Sequence, residues 1–174
     1  DVTVLLITFF LTVIFDLTVA IEVGLIIACV LFMKRVMETT EISVITDEID
    51  PNKESDIAVN EENIMIPKGV EVYEINGPYF FGIATKFEEV MAQLGDRPKV
   101  RIIRMRKVPF IDSTGIHNLT ALCEMSQKEK TTIILSGVNK NVHNVLEKAG
   151  FYELLGKENI CPNINVALER AKSL

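Results

Sequence analysis

Val108-Pro109-Phe110-Ile111-Asp112-Ser113-Thr114-Gly115-Ile116 is the stretch on which the reading of this chain turns. An isoleucine-rich run at 100–105 leads into it, and Ile116, Leu119, Leu122 and Met125 recur at helical spacing behind it. It therefore reads as a strand-to-helix junction, with Asp-Ser-Thr-Gly where the helix begins. Asp112 is placed to cap that helix and Ser113 to sit on its first turn. Free backbone amides and the positive end of the helix dipole favour a phosphate at such a place. The same geometry would hold the added charge of a phosphorylated Ser113. A plain helix cap needs the same residues, and Asp-Ser-x-Gly is a short pattern, so spacing alone leaves the three readings open.

Outward from this junction, strand and helix patterns alternate. Residues 70–75 set Val70 and Val72 between charged side chains and stop at Asn76-Gly77-Pro78. Ile83, Phe87, Val90 and Leu94 mark a helix with Gly95 as its stop. Residues 131–135 read as a strand followed by Ser136-Gly137. Val142, Val145, Leu146 and Ala149 give a third helix ended by Gly150, and Ile164, Ala167, Leu168 and Ala171 a fourth. The alternation predicts an α/β layered domain from Ile64 onward, a central sheet flanked by helices, and roughly 110 residues suffice for one core.

The amino-terminal end has a different character. Of the 32 residues 2–33, 25 are apolar and only Asp16 and Glu22 are charged. One straight helix of that length would reach about 48 Å, beyond the roughly 30 Å of a bilayer core. A break at Asp16, a good N-cap, predicts two membrane helices in a tight hairpin within 1–36. A signal peptide fits poorly, because the run is double and has no basic leader. Lys34-Arg35 follows at once, which places everything after Arg35 on the cytoplasmic side. Glu22 is read either as a functional acid at membrane depth or, blandly, as a residue that sits near the headgroups or caps a neighbouring helix. The chain starts at Asp1 rather than Met, so a piece of a longer protein is expected.

Residues 40–68 carry eight acids (Glu41, Asp47, Glu48, Asp50, Glu54, Asp56, Glu61, Glu62) against Lys53 and Lys68, which equals the whole net charge of −6. Such a block repels itself and an anionic leaflet, so 37–68 reads as a solvated linker with a turn at Asp50-Pro51-Asn52. Its acids lack the order and central glycine of an EF-hand, so no metal site is assigned.

The chain of 174 residues is 48% hydrophobic and 24% charged, with a mean hydropathy of +0.27. That composition excludes general disorder, and the negative charge excludes a basic nucleic-acid binder. Cys29, Cys123 and Cys161 form no CxxC pair. No P-loop, G-x-G-x-x-G or G-x-S-x-G pattern is present, and no acid–base pair can be placed, so neither a cofactor nor an enzymatic activity is assigned. His117, four residues after Ser113, is read as packed or solvent-facing. Arg101, Arg104, Arg106 and Lys107 fall on both faces of their strand and so make no single anion groove; they read as solvated or paired, with a nucleotide phosphate contact left open.

Taken together, these segments resemble a known arrangement. Val70-Glu-Val-Tyr-Glu-Ile-Asn-Gly-Pro-Tyr-Phe-Phe-Gly82 resembles the opening strand and turn of the cytoplasmic domain of SulP-family anion permeases. Residues 99–115, ending in Val-Pro-Phe-Ile-Asp-Ser-Thr-Gly, resemble the central strand and signature loop of the STAS domain, and Leu146-Glu-Lys-Ala-Gly-Phe151 the exit of its third helix. Asp16-Leu-Thr-Val-Ala-Ile-Glu-Val-Gly24 is similar to the last membrane helix of those permeases. The resemblance implies a STAS (anti-sigma-factor-antagonist-like) domain at 69–174 behind the last transmembrane helices of a secondary-active transporter of sulfate, bicarbonate or a related anion, in a bacterial-type inner or plasma membrane. It implies an anion site between broken helices in an N-terminal transport core that precedes this segment. The lipid bilayer, that core and a second copy in a homodimer are the implied partners. Single-domain anti-sigma-factor antagonists, which the same resemblance reaches, are switched by phosphorylation of the serine after the aspartate, here Ser113. A membrane-tethered partner-switching module without transport is therefore the alternative. Nucleotide binding near the loop maps onto Asp112, Ser113, Thr114 and Gly115, with a kinase, a nucleotide or a cytoplasmic protein as further partners.

Overall fold

Fourteen successive residues of near-continuous apolar character, Val2–Phe15, favour a helix, and the pattern is interrupted where Asp16 offers an acceptor. Helix α1 (Val2–Ile14) ends there, and α2 (Leu17–Thr39) starts with the Asp16 carbonyl accepting from Ala20 N–H at 3.0 Å. The two helices pack closely at Gly24, where an added Cβ would collide with Thr8 Cγ2, the use of a small residue common at helix contacts in membranes. Leu17–Val36 is long and apolar enough to cross a bilayer, whereas the 13 residues of α1 are fewer than the ~20 a span requires. This is a computed structural model, and it describes residues 2–45, 48–49, 64–80, 82–94 and 98–174. The chain divides into two compact units, Asp1–Thr39 and Thr40–Leu174.

The second unit is built on a sheet of five strands in the order β1-β4-β5-β6-β7: β1 (Glu41–Ile45), β4 (Val70–Asn76), β5 (Val100–Lys107), β6 (Thr132–Ser136) and β7 (Ile160–Cys161). A short antiparallel pair, β2 (Glu48–Ile49) with β3 (Ile64–Met65), stands apart from it. Strands β4 to β7 are parallel, and β1 runs antiparallel along β4 with Glu41 opposite Asn76. Helices α3 (Ile83–Leu94), α4 (Ser113–Lys128), α5 (Lys140–Lys148) and α6 (Phe151–Leu155) pack with one face and α7 (Ile164–Lys172) with the other.

The strand periodicity of two sorts the core. Tyr73, Ile75, Ile103, Met105, Ile133 and Leu135 pack with Leu119, Leu146 and Phe151; Val72, Ile102 and Ile134 pack with Ala167 and Leu168. Each such side chain contributes roughly 1.5–3 kcal/mol on burial. The expected α/β sheet flanked by helices is the observed fold.

Two differences have physical causes. Glu41–Ile45, inside the stretch read as a solvated linker, is an edge strand; Ile42 and Val44 lean on one face of the core and Ile45 on the other. On α4 the buried stripe is Gly115, Leu119, Leu122, Cys123 and Ser126, while Met125 is exposed. Counting threes from Ile116 drifts off the face, since nine residues at about 100° each end half a turn away. The turn at Asp50-Pro51-Asn52, the stop at Gly95 and the acids Asp47, Asp50, Glu54, Asp56, Glu61 and Glu62 lie outside the described residues.

The signature turn as a candidate functional site

Three loops meet at the carboxyl ends of β4, β5 and β6, and the Asp112 turn is held among them. Tyr79, just past β4, donates its N–H to Phe110 O at 3.0 Å and accepts from Asp112 N–H at 3.3 Å, an isolated parallel bridge beside Ile111. Gly77 donates to Lys107 O at 3.3 Å. The Asn139 side-chain amide donates to Val108 O from the loop after β6. Gly77 has φ +124, which a side chain rarely adopts, and an added Cβ would also meet Thr40.

The turn itself is a capped helix start. Asp112 is extended (φ −97, ψ 178), and its Oδ1 accepts from Gly115 N–H at 2.6 Å. The first intrahelical bond runs from Ile116 N–H to Asp112 O at 2.9 Å. The amides of Ser113 and Thr114 lie ahead of that bond, at the positive end of a 16-residue helix. Ser113 and Thr114 are exposed, Asp112 is half-buried and Gly115 is buried against Tyr79. The capping geometry read from the sequence is therefore present, and Asp112, Ser113, Thr114 and Gly115 share one turn. Glu22 belongs to the other unit, exposed on α2.

The hydrolytic alternatives find no geometry among the described residues. His117 is exposed on α4, and His143 on α5 pairs through Nε2 with the Tyr152 hydroxyl. Burial pushes the Cys123 thiol up to about 12, with Glu124 adding to it, and burial also raises Cys161 despite Arg170 nearby. Neither thiol is a ready nucleophile.

The basic residues of β5 are paired, and two of them are buried. Arg101 lies 5.7 Å over the Tyr73 ring, donates from Nη1 to Ser126 Oγ at 3.2 Å and stands 3.6 Å from Glu71 Oε2. The Tyr73 hydroxyl donates to that same carboxylate at 2.7 Å; burial first, then this bond, raises the Tyr73 phenol. On the opposite face Glu74 faces Arg104 at 3.8 Å and Lys107 at 3.4 Å. Of the two readings the sequence left for these bases, solvated or paired, the structure shows pairing; the partners Glu71 and Glu74 and the role of Tyr79 were not named from sequence. The signal was there in Glu71 and Glu74, which alternate in β4 as the arginines do in β5, and parallel register brings them side by side.

A mixed α/β sheet, parallel but for its edge strand β1, whose central strand runs into a capped, serine-bearing helix start defines the class to which these features belong. The model of the STAS domain matches residues 63–167, and the chain belongs to the STAS domain family. The chain is 28% identical over 159 residues to YvdB of Bacillus subtilis (strain 168), named as a sulfate transporter; the match takes in 91% of this chain and 28% of that protein's length. A sulfate transporter family protein from Wolinella succinogenes shares 44% identity at a TM-score of 0.60, covering 63% of this chain and 90% of its own. The murine solute carrier 26 family member A9 anion transporter, in its inward-facing state, aligns with 99% of this chain and 28% of its own at a TM-score of 0.69; with 21% identity it speaks for the fold alone. The STAS domain here is thus homologous to those of sulfate transporter proteins.

Proposed function

We propose that the chain is the C-terminal segment of a secondary-active inorganic anion transporter of the sulfate or bicarbonate type. In this reading 1–36 closes the membrane scaffold and 69–174 is a cytoplasmic regulatory domain, with the stretch between them passing through β1. The observation that carries the reading is the order of an apolar helical hairpin followed by a STAS domain 44% identical to that of a sulfate transporter family protein. Anion translocation would belong to a transport core earlier in the polypeptide, and the domain would act in regulation, assembly or dimerisation.

Within this reading Ser113 is the candidate phosphoacceptor and 112–115 the candidate seat for a phosphate or nucleotide. Support comes from the exposure of Ser113 at the start of α4, where the helix dipole favours added negative charge. That same observation favours the second reading, a membrane-tethered module that switches a protein partner through Ser113.

The native polypeptide, captured from membranes by an antibody against 64–174, separates the two. An intact mass with room for a transport core, and sulfate or bicarbonate uptake after reconstitution, is expected. A native mass of 19.5 kDa would replace the transporter by the tethered switch. Phosphoserine absent from Ser113 with the cognate kinase overexpressed would remove the phosphoacceptor assignment from either reading.

A further inference from the structure

We propose that Gly77-Pro78-Tyr79 acts as a strap that couples the Asp112 turn to Thr40, the residue at which the chain leaves α2. For its use as a switch the strap rests on the reading of Ser113 as a phosphoacceptor; the coupling itself needs no phosphate.

The strap is held on both sides. Toward the turn, the Tyr79 backbone donates to Phe110 O at 3.0 Å and accepts from Asp112 N–H at 3.3 Å. On the other side, Thr40 Oγ1 donates to Pro78 O at 3.2 Å, a bond between residues 38 positions apart. Lys86 Nζ donates to the Thr40 carbonyl, and Lys86 lies on α3, which starts where Ile83 N–H donates to Phe80 O at 3.0 Å. Both anchors of Thr40 therefore belong to the strap and the helix that follows it. Thr40 is 3% exposed and comes directly after Thr39, the last residue of α2.

This arrangement has little slack. A Cβ at Gly77 would stand 2.9 Å from Thr40 Oγ1 and 3.1 Å from Thr40 Cα, and one at Gly115 would collide with the Tyr79 carbonyl oxygen. Pro78 has its φ fixed by its ring, and Gly77 N–H is tied to Lys107 O at 3.3 Å. Contacts packed this closely move between discrete arrangements rather than stretch. In one arrangement Thr40 is bonded to Pro78 and the bridge from Tyr79 to Asp112 is closed. In the other Thr40 is released and that bridge is open. Coupling is reciprocal, so a change at the turn alters the hold on Thr40 as much as the converse. Charge added at Ser113 is thereby read at the point where the chain leaves α2.

Amide hydrogen exchange, followed by NMR on the full chain in lipid nanodiscs, tests the coupling. In the wild-type chain Tyr79 and Asp112 are expected to be less protected than Ile134, a core position of β6 that marks global unfolding. Thr40→Val keeps the shape and removes the hydroxyl donor; it is expected to speed exchange at Tyr79 and Asp112 about three- to tenfold, the effect of one lost hydrogen bond. Thr40→Ser keeps the donor and is expected to exchange as the wild type does. Unchanged rates in Thr40→Val, or wild-type protection at Tyr79 and Asp112 equal to that of Ile134, would overturn the coupling. Acceleration as large in Thr40→Ser would overturn the role given to the hydroxyl. In the reverse direction, Ser113→Glu is expected to shift the Thr40 methyl signal and leave that of Thr132 in place. A stationary Thr40 signal would overturn the transmission of charge from Ser113. Every one of these readings is made on unphosphorylated chain, so it stands apart from a search for phosphoserine, whose failure would remove only the phosphoacceptor assignment.

Discussion

Gly115 shows how a residue can be required for space rather than for backbone freedom. A Cβ there would run into the Tyr79 carbonyl oxygen, with Ile111 Cγ1 at 2.9 Å and Tyr79 Cδ1 at 3.0 Å. The oxygen cannot yield without loosening its bond from Asp112 N–H. Alanine would gain about 1 kcal/mol of helix propensity, but overpacking against backbone costs about 1–3 kcal/mol, and the lost bridge adds to it. Gly115→Ala should therefore destabilise by about 2 kcal/mol net, read as a lower urea midpoint with faster amide exchange at Asp112; an unchanged midpoint would contradict the steric account. From the sequence, Asp112 was legible as a cap because the cap is local chemistry. Tyr79 was not, because its role arises only when two loops far apart in the chain are brought together.

Long amphipathic segments were equally legible: β4, β5, β6 and helices α3, α4, α5 and α7 each carry their own period. The pieces that escaped notice are short or disguised. Two-residue β7 and five-residue α6 hold too few positions to show a period. β1 does alternate, with Ile42 and Val44 turned inward, but its acids look like those of the linker, as suits a protected edge strand. For Arg101 and Arg104 the sequence left solvation and pairing open; opposite charges in parallel register settle it as pairing and let both be buried. A chain shortened to 64–174 would lose β1 and leave β4 as an open edge. Relative to 40–174 it should be less stable by about 3 kcal/mol, from three half-buried aliphatic side chains, and should self-associate on size exclusion. Equal stability and a monodisperse profile would show that the edge strand is dispensable.

The hairpin and the sheet were separable from composition, since apolar residues concentrate in one and alternate in the other. Lys34-Arg35 immediately after the apolar stretch is the basis of the proposed sidedness, since basic residues flanking a span favour the cytoplasmic side. In vesicles of known orientation, protease added on the cytoplasmic face should digest 69–174, and protease on the opposite face should leave it intact. The reverse result would invert the topology. The order of strands has a consequence for synthesis. β4, β5, β6 and β7 neighbour one another in the order of translation, so each finds its partner already made. β1 does not: Ile45 leaves the ribosome 25 positions ahead of Val70, the first residue of its partner strand. At ordinary elongation rates that wait lasts on the order of seconds, and a nascent strand with open edges is a template for pairing with other chains. Seven acids and one lysine follow it between 47 and 62. Their like charge, acting within about a Debye length, opposes close pairing of a second chain along that open edge until β4 arrives.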